Sequence, residues 1–247
     1  MANELLHDLP PNVDRVLDEF VADARKIFDH DLRAIVLFGS AAEAKLRPTS
    51  DVNLLLVLTR FEQAKADKLR EPFRIAQTAV QLRTMFLLAD EVEPALKAFA
   101  VKFADILRRR RVLYGEDPFA GLSVSREDAI VRLKQTLLNL TLRLREMYVG
   151  RGLREEQLAA VIANMAGPLR SCAATLLELE GNPAKSAKEA LESVASSMPE
   201  ANITAQDLSR ISEARQNRTL EPGVAGATFF HLIHLAHAMW KRALNLS

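Results

Sequence analysis

Apolar residues recur at helical spacing near the start of the chain. Val13, Val16, Leu17, Phe20, Val21, Ala24, Ile27 and Phe28 form one stripe behind Pro10-Pro11. A stripe with that period predicts an amphipathic helix, and proline suits a first turn whose N–H groups lack intrahelical partners. The period then changes. Ala34–Phe38 and Val52–Thr59 are short, unbroken apolar runs between polar residues, which predicts two strands buried on both faces. Residues 61–76 are charged and helix-compatible. Ala79–Leu88 sets Gln81 and Arg83 among apolar neighbours, as a third strand would. Asp90–Leu107 returns to helix, Arg108–Arg111 closes it, and Val112–Gly115 reads as a short last strand or turn. Strands interleaved with helices at this density predict a small α/β unit.

Beyond Asp117-Pro118 the strands stop. Ser125–Tyr148 carries the stripe Ile130, Leu133, Leu137, Leu140, Leu144 and Met147, which predicts one long amphipathic helix ended by Gly150 and Gly152. Leu158–Leu179 predicts a second helix, interrupted at Gly167-Pro168 and ended by Gly181-Asn182-Pro183. Shorter helices fit 185–196 and 205–216, and Ala227–Asn245 predicts a long last one, so this half is a helical bundle. The change of character falls near residues 118–124 and divides the chain into domains of 1–120 and 121–247.

Composition narrows the classes. The 247 residues are 49% hydrophobic and 26% charged with a net charge of +1, so nothing in the bulk electrostatics calls for a nucleic acid or a membrane surface. A single cysteine, Cys172, excludes an internal disulfide or a CxxC site and fits a reducing cytoplasm. The opening residues, MANELLHDLPPNVDR, lack the apolar run of a signal peptide, and no stretch reads as the ~20 apolar residues of a membrane span.

The chemistry concentrates between the first two strands. The first ends in Gly39-Ser40, and Ser50-Asp51 then opens the second, with Asn53 two positions on. A glycine after a strand lets backbone amides approach an anion, and serine adds a hydroxyl donor. Residues 51 and 53 share one face of a strand.

This stretch resembles the GS…SDxD signature of the polymerase-β nucleotidyltransferase superfamily, in the branch that includes kanamycin nucleotidyltransferase and small bacterial proteins with a helical C-terminal domain. The likeness covers about residues 34–118 and, more loosely, the helices. It implies an α+β nucleotidyltransferase domain with a small mixed sheet, followed by an all-α bundle. It also implies that Gly39 and Ser40 contact a nucleoside triphosphate; Ser50, Lys45 and Arg47 are further candidates for that contact, with solvent as the equal alternative for Lys45 and Arg47. Asp51 would hold Mg2+. The signature's second aspartate is Asn53 here, and no acid occurs between Phe73 and Ala89, where the third carboxylate would stand. Two divalent cations beside a triphosphate need carboxylate oxygen. One carboxylate of three implies weak or degenerate Mg2+-dependent transfer of a nucleoside monophosphate to a hydroxyl. The alternative is a catalytically inactive, nucleotide-sensing or partner-binding protein, as antitoxin-like members are.

Other features carry blander readings. The Arg108–Arg111 run suits a helix C-terminus with solvated side chains. His231, His234 and His237 lie three apart among Phe230, Leu232, Ile233, Leu235, Met239 and Trp240, which favours a packed helix with polar notches over a metal site. Small-residue faces at Ala159-Ala160 and Ala173-Ala174 are compatible with a homodimer.

Overall fold

Pro11 takes the first position of α1 (Pro11–Phe28), and the apolar stripe behind it is buried at Val13, Val16, Leu17, Phe20, Ala24 and Phe28. The computed structural model describes residues 9–47 and 49–247. The expectation for the opening residues therefore falls partly outside the described residues, as does Pro48.

Four strands follow: β1 (Leu32–Phe38), β2 (Val52–Leu58), β3 (Leu82–Leu88) and β4 (Arg110–Gly115). They form one mixed sheet in the order β3-β2-β1-β4. β1 runs antiparallel to both β2 and β4, and β2 runs parallel to β3. Parallel neighbours need a crossover connection, supplied by α2 (Gln63–Val80). Successive residues of β1 and β2 are buried whichever face they point to, as their unbroken apolar runs require. One face of the sheet, through Ile35, Leu37, Leu54, Leu56, Leu58 and Leu82, shares a core with α1 and with Leu69, Ala76 and Val80 of α2.

A buried carboxylate ties this layer together. Asp31, at the turn into β1, accepts from Thr59 Oγ1 and Arg60 Nε, each at 2.9 Å, and pairs with Lys65. The hydrogen bond from Lys65, with those from Thr59 and Arg60, holds its carboxyl well below the usual carboxylate range.

Three boundaries differ from the sequence expectation. α2 continues through Ala79 and Val80, and Gln81 is its left-handed C-cap, so the third strand begins at Leu82 and Gln81 is not a strand position. The 90–107 helix is two helices, α3 (Val92–Ala98) and α4 (Ala100–Arg108). Of the arginine run only Arg108 ends a helix, and the rest is not a solvated helix terminus, because Arg110 and Arg111 are on β4 and Arg109 and Arg110 are paired. Runs of like charge look solvated in sequence when their partners are remote, and the partners here include Glu43, 66 residues away.

The chain divides into two units, one running to Leu96 and resuming over Phe103–Ser123, the other comprising Lys97–Lys102 and Val124–Ser247. The second is a helical bundle of α5 (Arg126–Arg151), α6 (Glu155–Leu179), α7 (Ala187–Ser196), α8 (Ala205–Asn217) and α9 (Ala225–Leu244). Ser125 caps α5 by accepting from the Asp128 amide at 3.0 Å. Gly150 lies inside α5 rather than ending it, and α6 passes through Gly167-Pro168 without interruption. Burial on many sides by the other helices overrides the local cost of that proline. Among the described residues α6 is the one helix long and apolar enough to cross a membrane by composition, and 61% of that window is buried in the bundle.

The histidines of α9 are polar notches in a packed helix. His231 Nδ1 lies 2.9 Å from Oδ2 of buried Asp207, His234 meets the Phe230 ring edge-on, and His237 stacks on Trp240. Burial opposes ionisation of Asp207, but bonds from Thr204 and His231 keep its pKa below the ordinary value.

Candidate functional site

Both halves of the signature reach the same end of the sheet because β1 and β2 are antiparallel. Phe38, the last residue of β1, pairs with Asn53 of β2, and Asn53 pairs on its other side with Arg83 of β3. Register partners project to the same face, so Asn53 and Arg83 lie side by side, and Asp51 immediately precedes β2. Gly39 follows Phe38 directly. A methyl group on its Cα would stand 3.9 Å from Asn53 Nδ2.

Gly39, Asp51 and Asn53 thus lie at one end of the sheet, and several of the expected residues make local contacts there. Gly39 has φ +79°, which an L side chain rarely adopts, and its own N–H donates to the Arg109 carbonyl at 3.0 Å. Its amide therefore has a partner within the protein, and the glycine serves to turn the chain. Beyond it the loop folds on itself: Ala42 N–H donates to Gly39 O, and Lys45 N–H to Ser40 O. Ser50 acts locally, its Oγ accepting from the Arg47 amide at 3.1 Å. Lys45 pairs with Glu43 at 3.3 Å. Arg47 is half-buried, and burial lowers its pKa.

The largest departure is at Asp51. Arg83 Nε lies 3.0 Å from Asp51 Oδ2, while Asn53 Nδ2 donates to the Asp51 backbone carbonyl at 3.3 Å. Arg83 is a polar strand position, as its sequence pattern suggested. Its pairing with Asp51 was missed, because nothing local sets the register between strands separated by a whole helix. The Arg83 side chain is 68% exposed. Such a pair contributes at most about 1 kcal/mol, so a polyanion can draw the guanidinium away.

Further cations stand around the loop. Arg109 binds Asp105 through Nε at 3.0 Å and Glu43 through Nη1 at 3.3 Å. Burial alone would lower its pKa, and those two carboxylates raise it. Arg110 bonds Asp117, its Nη2 at 2.7 Å, and Arg111 Nη2 reaches the Ala42 carbonyl at 3.4 Å. Lys45, Arg47, Arg83, Arg109, Arg110 and Arg111 outnumber Glu43, Asp51, Asp105 and Asp117 in this region, which is the charge balance of an anion site.

The donor set does not fit two divalent cations. It offers one carboxylate already paired with an arginine, one neutral amide, and arginine where a further acid would be needed. Among the described residues no group of three or more His, Cys, Asp or Glu side chains is placed to hold a metal ion.

Gly39→Ala tests the turn. The left-handed conformation costs a non-glycine residue about 1 kcal/mol, and the methyl group has room. The variant is therefore expected to fold with a small loss of stability, about 1 kcal/mol, which thermal melting would check.

No protein-family model matches the chain. A protein of Methanocaldococcus jannaschii, provisionally named a protein adenylyltransferase, is 27% identical over 110 residues, which cover 43% of this chain and 75% of that one. The spectinomycin adenyltransferase AAD(9) from Enterococcus faecialis, solved with ATP and spectinomycin, aligns with a TM-score of 0.64 at 14% identity, over 91% of this chain and 98% of that one. The fold is that of the polymerase-β-like nucleotidyltransferase superfamily. The likeness is one of fold, and it spans a small mixed four-stranded sheet and a helical unit.

Proposed function

We propose that the N-terminal unit binds a nucleoside triphosphate at the Gly39–Ser40 turn, and that Arg83 supplies positive charge where carboxylate-held metal would otherwise stand. The observation that carries this reading is the Asp51–Arg83 ion pair, on a strand register that also sets Arg83 beside Asn53. Without ligand, Asp51 holds the guanidinium over the site. A triphosphate competes for it, and the guanidinium exchanges one carboxylate for phosphate oxygens, which it can bind through two parallel N–H donors. Ser40, Lys45 and Arg47 lie on the loop that the phosphates would meet. With no second and third carboxylate to deprotonate a hydroxyl or organise metal, nucleotide binding outlasts efficient transfer. The protein then acts as a nucleotide-responsive member of its superfamily, and its single buried cysteine suits a cytoplasmic setting.

A second reading, adenylyl transfer to a hydroxyl acceptor, draws support from the likeness to two proteins named as adenylyl-transferring. Titration with ATP, the nucleotide in the similar solved structure, separates the two. On the binding reading, affinity persists in EDTA, falls about tenfold or more in Arg83→Ala, and is kept or tightened in Asp51→Ala, which removes the competitor for Arg83. Binding that requires Mg2+ and disappears in Asp51→Ala would overturn it in favour of transfer.

A further inference from the structure

The helix α5 is apolar on two nearly opposite sides. Ile130, Leu133, Leu137, Leu140 and Leu144 face the bundle core. On the other side Val131, Leu138, Leu142 and Val149 are exposed, at 54%, 38%, 53% and 84%. A helix that only covers a core needs one stripe, with polar residues opposite. Four exposed aliphatic side chains in line mark a surface with a partner.

Their spacing identifies that partner. Val131, Gln135, Leu138, Leu142, Arg145 and Val149 are separated by 4, 3, 4, 3 and 4 residues, the alternation of a coiled-coil seam. At 100° per residue all six fall within a narrow arc of the helix. The series is also symmetric about position 140. Laid antiparallel on a second copy of itself, α5 brings Val131 against the partner's Val149 and Leu138 against the partner's Leu142. Each contact is made twice by a two-fold axis, as an isologous interface requires.

The polar residues obey the same symmetry. Gln135 falls opposite the partner's Arg145, giving that guanidinium an amide oxygen rather than another cation. On one flank of the seam, Arg132 stands two positions, about 3 Å, from level with the partner's Glu146, within reach of two long side chains, so the axis creates two ion pairs of opposite charge. Within the chain, Arg132 Nε donates to the Lys97 carbonyl at 3.2 Å and its Nη1 to Gln135 Oε1 at 2.8 Å, so its side chain lies beside the seam residue Gln135. A parallel arrangement would set Arg132 against the partner's Arg132 and Arg145 against the partner's Arg145. We propose that the exposed face of α5 is a homodimerisation surface on which two copies pair antiparallel about position 140.

The stripe extends about 27 Å between Val131 and Val149. One helix pair of that length buries less than the roughly 1,200 Å² of a standard stable interface, so the dimer is weak and concentration-dependent. The test is sedimentation velocity on the full chain from about 1 to 300 μM, a range chosen for a weak interface of this size. The wild-type protein is expected to pass from monomer to dimer. Leu142→Glu, at an exposed position, is expected to stay monomeric with an unchanged circular dichroism spectrum. Arg132→Glu and Glu146→Arg should each shift the midpoint upward about tenfold, and the two together should restore it, because only antiparallel pairing brings those positions together. A wild-type chain that remains monomeric throughout, a dimer indifferent to Leu142→Glu, or failure of the double charge swap to restore association would each overturn the proposal.

Discussion

Asn53→Asp combined with Arg83→Glu is expected to raise the affinity of this protein for Mg2+. The argument rests on register. Residues 53 and 83 are paired across the parallel β2–β3 ladder, so their side chains lie side by side on one face, and residue 51 lies just before β2, with its carboxylate 3.0 Å from Arg83 Nε. Carboxylates at all three positions would surround one region with hard oxygen donors, where the parent has one carboxylate, one amide and one guanidinium. Each single change falls short. Asn53→Asp leaves Arg83 between two acids, where it satisfies both. Arg83→Glu releases Asp51 but keeps an amide with no charge at the centre. The double variant is expected to bind Mg2+ with a Kd of about 1 mM or tighter, and at least about tenfold more tightly than the parent. Calorimetry with Mg2+ and Mn2+, and a rise in melting temperature on adding either ion, would show it. Adenylyl transfer from ATP should rise with metal affinity if a hydroxyl acceptor is supplied. A folded double variant with no gain in metal affinity would mean that the three positions do not surround a common point.

This contrast also shows what could be read before the fold was known. The paired apolar runs, the Gly-Ser turn and the Ser-Asp opening of β2 are local signals, and the structure keeps each of them. The loss at Asn53 was equally legible, because a metal site depends on residue type. The role of Arg83 was not. The helix that precedes it runs on through Ala79 and Val80, and Gln81 takes a left-handed cap that charge and hydropathy do not announce. The partner of Arg83 lies 32 positions away across a register that only the assembled sheet sets. The arginine run illustrates the same limit. Its members bond Asp105, Glu43, Asp117 and the Ala42 carbonyl, and two of those four partners lie on the Gly39–Asp51 loop. A segment that reads as solvated charge is in fact a brace for the candidate site.

That brace makes Gly115 a position of unusual sensitivity, although it lies at the far end of β4. Gly115 pairs with Ala34 of β1 and has φ +77°. A Cβ there would come 1.9 Å from the Arg33 carbonyl oxygen, 3.0 Å from its carbon and 3.1 Å from the Ala34 Cα. All three are backbone atoms, so no side chain can swing aside, and relief requires β4 to move off β1. Gly115→Ala is therefore expected to destabilise the N-terminal unit by about 4 kcal/mol, the sum of left-handed strain and a clash with rigid backbone. Gly39→Ala has the same kind of φ but an open approach, so its cost of about 1 kcal/mol serves as the control. The damage should also reach the site, because β4 begins at Arg110 and the preceding Arg109 carbonyl takes the Gly39 N–H. Urea denaturation of the full chain, with a probe in each unit, should show the N-terminal transition moving to lower urea while that of the helical unit stays in place. ATP binding should weaken under conditions where both units are still folded. Stability within about 1 kcal/mol of the parent would mean that β4 can leave β1 at its end without cost, and that the sheet does not brace the Gly39 turn from that side.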